Sequence, residues 1–354
     1  MAGLGALAVG LDQIEFNLRV MKRRLLQYLA CPSCGGEIQL QAGSEDHDRE
    51  IIDGVLSCAR CAQQFQITRG VPRFVKLDQL ADEVAATAAS FGWQWQHFTQ
   101  QDERYAQQML GWLQPVTPEF FKDKVVLEGG CGKGRHTQLA SEWGARDVIG
   151  VDLSDAVDSA FAATRGSENM HIVQADLCRL PLKQVFDYAF SIGVIHHLEE
   201  PETGFRSLAA KIKPQGYFSV WVYGAENNGW ITSFIDPVRT RITSSMNRRG
   251  LLHLSKVPTA LMYAATKLVY GPLNRSRSGA AVASHLFYNA YLNSISRFGW
   301  REQHTIVFDH LVAPTAHYIS RDQFAKWWKA IGTREVTITW HNKNSWCGFG
   351  RVPE

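Results

Sequence analysis

The sequence predicts an α/β protein built on a doubly wound parallel sheet, with a small cysteine-clasped unit ahead of it and a helical cap insertion late in the chain. Three observations carry that prediction. From Lys124 onward, short apolar strands alternate with helical stretches, which implies a parallel sheet covered on both faces. Before that alternation stand two Cys-x-x-Cys pairs. After it, residues 225–312 depart from the pattern over a length no ordinary connection needs.

The 354 residues, 45% of them apolar, suffice for one large domain and a small one. A net charge of +3 is too low for the whole molecule to act as a general trap for nucleic acid. The charge is uneven, however. Between Ala225 and Trp300, nine basic residues (Arg239, Arg241, Arg248, Arg249, Lys256, Lys267, Arg275, Arg277, Arg297) stand against two acids, Glu226 and Asp236. Any anionic partner, RNA included, should meet that segment. Of seven cysteines, Cys131, Cys178 and Cys347 fall outside the two pairs, a dispersed remainder that suits a reducing, cytoplasmic compartment. No apolar run is long enough to cross a bilayer. The apolar stretch Ala2–Leu11 lacks a basic start and a cleavage motif, so it reads as neither signal nor anchor. Met21-Lys-Arg-Arg-Leu-Leu reads as an alternative start, which would make residues 1–20 an extension or a loose helix.

The first unit spans residues 22–76. Cys31-Pro-Ser-Cys34 and Cys58-Ala-Arg-Cys61 are separated by 23 residues. Two such knuckles can set four thiolates tetrahedrally around one Zn²⁺, leaving no position for water, so the metal is expected to be structural. A dithiol redox pair would want a βαβ context that neither pair has. The run from Arg24-Leu-Leu-Gln-Tyr-Leu-Ala-Cys31 through Gly54-Val-Leu-Ser-Cys58 to Gly70-Val-Pro72-Arg-Phe74 resembles the small zinc-ribbon proteins that activate methyltransferases by docking on them. That resemblance implies an accessory here fused to its client.

Residues 81–121 combine a polar, alanine-rich helix with the cluster Phe91-Gly-Trp93-Gln-Trp95-Gln-His97-Phe98. Those rings either cover the edge of the main domain or, through Trp93 or Trp95, wall a ligand pocket.

The main domain is expected over residues 122–224. Strand Val125–Leu127 leads into glycines and a helix from Arg135 to Trp143; strand Val148–Val151 ends at Asp152. His171–Asp176 reads as a third strand, Phe186–Ile192 as a fourth, and Tyr217–Tyr223 as a fifth after a turn at Lys213–Gly216. The insertion, residues 225–312, holds helix-compatible stretches at Leu251–Leu254 and Ala260–Tyr270, broken by Pro258 and Pro272. Residues 313–354 then complete the sheet, with a helix at Arg321–Ile331 and strands at Glu335–His341 and Trp346–Val352.

The chemistry is concentrated after the first strand of this domain, in Glu128-Gly-Gly130-Cys-Gly132-Lys-Gly134. The alternating glycines permit a tight turn and close backbone approach to a ligand. A dinucleotide site would keep the position of Glu128 clear of a carboxylate that repels pyrophosphate; an acid there suits a cationic amino group instead. Asp152 can accept from ribose hydroxyls and Asp176 from an adenine amine. Together these describe S-adenosylmethionine. Residues 124–223 resemble the class I S-adenosylmethionine-dependent methyltransferases of the type-11 kind, whose fold is Rossmann-like. The resemblance implies cofactor contacts from Glu128, Gly130, Gly132, Gly134, Asp152, Asp176 and Ser191.

Strand four ends Ser191-Ile-Gly-Val-Ile-His196-His197-Leu. It lacks the Asn/Asp-Pro-Pro-Tyr turn that grips a planar amine, and it resembles the branch that methylates oxygen or carbon of small molecules. With Pro201-Glu-Thr it also resembles enzymes that esterify a carboxymethyl group on the tRNA wobble uridine, which use a zinc-ribbon activator. His196 and His197 are the expected proton-removing residues, or else one caps or packs the following helix. Asp309-His310 and His317 could close over the acceptor or lie at the surface. The cap could line a lipophilic site or lie on a membrane through Ala260–Tyr270, or hold phosphates through its arginine pairs. The expectation is methyl transfer to oxygen or carbon of a small organic or lipid-like acceptor. RNA modification with a built-in activator and a non-catalytic cofactor-binding adaptor are the alternatives.

Overall fold

The computed structural model describes residues 21–45, 51–98, 102–164, 166–333 and 335–354; the expectations for residues 1–20 lie outside them. The ribbon contributes β1 (Ile38–Glu45), β2 (Ile51–Cys58), β3 (Gln64–Thr68) and β4 (Val71–Arg73), each antiparallel to the next. The main domain supplies β5 (Val125–Gly129), β6 (Asp147–Asp152), β7 (Met170–Gln174), β8 (Phe186–Ile192) and β9 (Ile212–Tyr223). The C-terminal segment adds β10 (Val336–His341) and β11 (Ser345–Arg351). All of them join one sheet in the order β1-β2-β3-β4-β7-β6-β5-β8-β9-β11-β10.

Strands β7, β6, β5, β8 and β9 run parallel, and β5 to β8 are buried along almost their whole length because helices cover both faces. The helices are α1 (Asp82–His97), α2 (Arg104–Trp112), α3 (Arg135–Glu142), α4 (Ala156–Ala163) and α5 (Pro201–Ala209). The cap then adds α6 (Asp236–Arg241), α7 (Arg248–Leu254), α8 (Lys256–Ala265), α9 (Gly271–Leu273), α10 (Arg277–Ala283), α11 (Asn289–Ile295) and α12 (Trp300–Val312), and α13 (Arg321–Ala330) follows it. Strand order reverses at β5, which has β6 on one side and β8 on the other. A ligand crevice is expected beyond the carboxyl ends of the strands at such a switch point.

α13 shows how sequence detail sets the packing. Trp327 and Trp328 are fully buried with Phe205 and Phe218, and burying side chains of this size contributes roughly 2–3 kcal/mol each. Room for Trp328 comes from Gly348 and Gly350, two residues apart on one face of β11. A Cβ at either would lie 2.6 or 2.9 Å from the indole.

The ribbon is built into the domain. Phe74 N–H donates to Gln174 O at 2.8 Å where β4 pairs with β7, and Arg73 bonds Asp158 at 2.8 Å. Buried Asp147 at the start of β6 accepts from Arg24 at 2.6 Å and from Tyr28 at 2.5 Å. Leu25, Leu29, Ile51 and Leu56 lie in the same apolar core as Leu127, Val173 and Phe186. One boundary differs from expectation. β9 begins at Ile212, and Lys213–Gly216 is a bulge inside it rather than a turn before it, with Gln215 at φ +64°.

Candidate active site

The turn after β5 needs its glycines: Gly130, Gly132 and Gly134 all have positive φ, at +80°, +52° and +81°. They also need the space. A Cβ at Gly130 would sit 2.2 Å from Val194, and one at Gly132 would sit 3.0 Å from the Trp95 indole nitrogen. The backbone therefore forms a cradle between Val194, which follows β8, and Trp95 of α1. Gly130 and Gly132 of this cradle, Asp152 at the tip of β6 and Asp176 past β7 line one cavity of about 1000 Å³; Gly134, expected there too, is not on its wall, and a Cβ on it would meet Ala160 at 3.2 Å.

Asp152 holds the cradle. Its Oδ2 accepts from Gly132 N–H at 2.8 Å and its Oδ1 from Ser154 N–H at 2.9 Å; burial raises its carboxyl above the usual range while these bonds oppose the shift. Asp176 accepts from Cys178 N–H at 2.8 Å through Oδ1. These residues fit S-adenosylmethionine: a glycine cradle closed by an aromatic ring, with carboxylates spaced along the strand tips for ribose and adenine.

Two more residues expected at this cavity, besides Gly134, are set back from it. Ser191 is fully buried and donates to Gly129 O at 2.8 Å, tying β8 to the glycine turn. Glu128 is buried beneath α3, where Thr137 donates to it and His136 lies 3.3 Å away; burial pushes its carboxyl up to about 8.

His196 and His197 are also treated differently by the fold. His197 lines the cavity; its Nδ1 donates to Thr315 O at 2.6 Å, so Nε2 is unprotonated and has no protein partner. Burial pushes His197 down to about 4. His196 lies off the cavity wall, fully buried, 3.9 Å from the ring of Tyr223, and burial among neighbouring positive groups holds it well below the usual range. Both rings are neutral at physiological pH.

A second cavity of about 620 Å³ lies under the cap, walled by Trp112, Trp221, Ile231, Tyr288, Tyr291 and Phe298 among others. The two cavities share Trp95, Arg135, Ile192, Gly193 and Asp309. Asp309, on α12, is the carboxylate at that neck. Its Oδ1 accepts from Gln94 at 3.0 Å and its Oδ2 from the Tyr223 hydroxyl at 3.2 Å. Sequence reading noticed the Asp309-His310 pair but had no means of putting it at the neck. Trp95, unlike Trp93, is the aromatic residue that walls the site; Trp93 stacks on His97 at 3.6 Å. Arg239, expected to pair with Arg241 on the surface, is buried and bridges to Asp236 at 3.0 Å.

The four ribbon cysteines converge, their sulfurs within 4.8 Å of one another. Cys31–Cys61 and Cys34–Cys58 are 3.7 and 3.4 Å apart, near the ~3.8 Å edge of a tetrahedron with Zn–S bonds of ~2.3 Å. The cluster is consistent with zinc. Neighbouring Pro32 and Ser33 reach the wall of the first cavity.

A family model described as a methyltransferase domain matches residues 127–220, and one described as a Trm112p-like protein matches residues 22–70. The chain joins a class I methyltransferase domain to a Trm112p-like ribbon. Similar curated proteins include the tRNA U34 carboxymethyltransferase of Pseudoalteromonas translucida, 35% identical over 101 residues, or 28% of this chain and 31% of that protein. The protein of the same name from Ruthia magnifica is 33% identical over 99 residues, 27% of this chain and 31% of that one. The chain thus spans under a third of the length of these relatives. Among solved structures, the S-adenosylmethionine-dependent methyltransferase from Mesorhizobium loti is 26% identical over 30% of this chain and 54% of its own, with a TM-score of 0.28. The PH0226 protein of Pyrococcus horikoshii is 15% identical over 71% and 92%, with a TM-score of 0.42. In the methyltransferase domain the first cavity lies at the switch point, and the Trm112p-like ribbon forms part of its rim.

Proposed function

We propose that this chain transfers the methyl group of S-adenosylmethionine to oxygen or carbon of a small organic or lipid-like acceptor. The observation that carries this reading is the neck between the two cavities. The glycine turn, Asp152 and Asp176 on the first cavity's wall support placing the cofactor there. The second cavity, at about 620 Å³, is the size of a small-molecule site and is walled by aromatic and aliphatic side chains interleaved with polar ones, Arg104, Arg135, Arg297 and Asp309 among them.

When bound, S-adenosylmethionine supplies a methyl group made electrophilic by its sulfonium. The protein's share is positioning and proton management. Asp152 and Asp176 would hold ribose and adenine, while the glycine cradle and Trp95 fix the remaining part. Trp95 and Ile192 line both cavities, so an acceptor in the second would meet the methyl at the neck they share. For a phenol or an acidic carbon acceptor, Asp309 takes the proton at the neck, with Gln94 and Tyr223 fixing its carboxylate. His197 Nε2, on the first cavity's wall, is a second acceptor of the right kind. An already ionised acceptor oxygen needs neither.

RNA modification is the second reading, favoured by the names of the curated relatives and by the basic cap. Incubating the zinc-loaded protein with methyl-labelled S-adenosylmethionine and a cell extract, then separating RNA, protein and organic-soluble pools, tests both. Label in the organic-soluble pool is the expected result. Label in RNA overturns the first reading in favour of the second. Cofactor binding by calorimetry with no label in any pool overturns both, in favour of an adaptor.

A further inference from the structure

The cap carries an apolar stripe that no other part of the described chain covers. Leu254, Val257, Leu261, Ala264 and Leu268 recur at alternating spacings of three and four along α7, α8 and the helical turn Thr266–Tyr270, so they share one side of the rod. All five are exposed; Leu261 and Leu268 are 72% and 75% accessible. A second apolar row, Phe234, Val238 and Ile242, projects outward at spacing four along the helix ending in α6. Single exposed apolar residues are ordinary, but aligned rows mark an interaction surface.

Charge identifies the partner. From Pro237 to Arg301 the sequence contains no carboxylate. The two acids just before, Glu226 and Asp236, are engaged by Trp346 and Arg239. Arg241, Arg249 and Lys256 lie exposed at one end of the stripe, and Arg275 and Arg277 lie exposed past the other. A second copy of this chain would bring like charges together around the same stripe. RNA would gain nothing from exposed leucines and valines. An anionic lipid surface satisfies both features, with aliphatic groups entering the acyl boundary and basic groups meeting headgroups.

The surface also leads to the acceptor cavity. Phe234 lies one turn beyond Ile231, which lines that cavity, and exposed Phe287 precedes Tyr288, which lines it too. Trp230 meets Phe287 at 5.4 Å between ring centroids, and the Tyr270 hydroxyl at the end of the stripe donates to Phe287 O at 2.8 Å. We infer that the cap docks on an anionic membrane surface and takes its acceptor from the lipid phase through the Phe234–Phe287 edge. The docking stands alone; the delivery of acceptor rests on the lipid-like reading above.

Flotation of the full chain with vesicles of phosphatidylcholine alone, or with about one third phosphatidylglycerol, tests this. Binding to the anionic vesicles is expected, weakening with salt and falling at least 10-fold in Leu261→Glu/Leu268→Glu and in Arg249→Glu/Arg275→Glu. Because all four side chains lie on the cap's outer side, unchanged thermal melting would show the variants folded. Absence of binding to anionic vesicles overturns the docking. So does a concentration-dependent dimer, broken by Leu261→Glu, in a protein that ignores vesicles. Docking together with label in RNA keeps the surface and removes the delivery. Label in the organic-soluble pool without docking keeps the methyl-transfer reading and removes the membrane.

Discussion

Gln94 of α1 donates its side-chain amide to Asp309 of α12 at 3.0 Å, joining residues 215 positions apart across the neck between the two cavities. With the Tyr223 hydroxyl on the other oxygen, both carboxylate oxygens are fixed before any ligand arrives. If Asp309 is the proton acceptor, Asp309→Asn lowers single-turnover methyl transfer by about 10²–10⁴-fold. Cofactor affinity by calorimetry should stay within a few-fold. Unchanged transfer would mean an acceptor that arrives ionised, or a proton taken by His197.

Asp152 makes a separate prediction about binding. Its carboxylate organises the cradle through Gly132 and Ser154 and is the expected ribose partner. Asp152→Ala removes at least one charge-assisted hydrogen bond worth roughly 1.5–3 kcal/mol, so cofactor affinity should drop by about 10–100-fold or more. A titration that finds wild-type affinity would remove Asp152 from the cofactor site.

What was legible in the sequence follows a physical divide. Strand positions were readable because β5 to β8 are apolar on both faces, and the glycine spacing declared its turn. That same apolarity hid which side chains face the cavity, so Ser191 and Glu128, within the motif, turned out to lie behind it. One of the three arginine pairs failed for a geometric reason. Arg239 and Arg241 are two apart, hence on opposite sides of a helix, and one is buried while the other is exposed. Asp309 was visible as a residue, but its role depends on a contact with Gln94 that no local pattern encodes. The ribbon's cysteines were plain; its sharing of one core and one sheet with the domain was not, since β4 contributes only three residues to that junction.

Glu128 gives a pH prediction. Burial raises its carboxyl from 4.5 to about 8, so the folded chain retains a proton the unfolded chain loses. The stability tied to that proton is complete below pH ~4.5 and is lost as pH rises through about 8. Buried His136, held below its ordinary 6.5, opposes this on the acid side, because it must give up its proton to fold there. The Glu128 effect should therefore dominate between pH 6.5 and 8. Glu128→Gln mimics the protonated carboxyl, so its stability relative to wild type should rise by a few kcal/mol from pH 5 to pH 8.5. Parallel urea titrations of the two proteins at several pH values check it; a difference independent of pH would contradict it.

The metal cluster and the main domain should melt as one. Gly36 faces the sulfurs, and a Cβ there would lie 2.8 Å from Cys58 Sγ and 3.2 Å from Cys34 Sγ, too close for four thiolates to close on an ion. Gly36→Ala should therefore lose bound zinc, measured by mass spectrometry of the native protein. The ribbon's apolar side chains belong to the core that holds β5, β7 and β8, and Asp147 and Asp158 are bonded by ribbon side chains. Loosening the ribbon thus withdraws packing from the strands whose tips form the first cavity, the proposed cofactor site. Chelation of the wild type and Gly36→Ala should each lower Tm in a single calorimetric transition, with cofactor affinity falling in parallel. A two-step melt, in which the cofactor still protects the later step after zinc is gone, would show instead that the ribbon folds independently of the site.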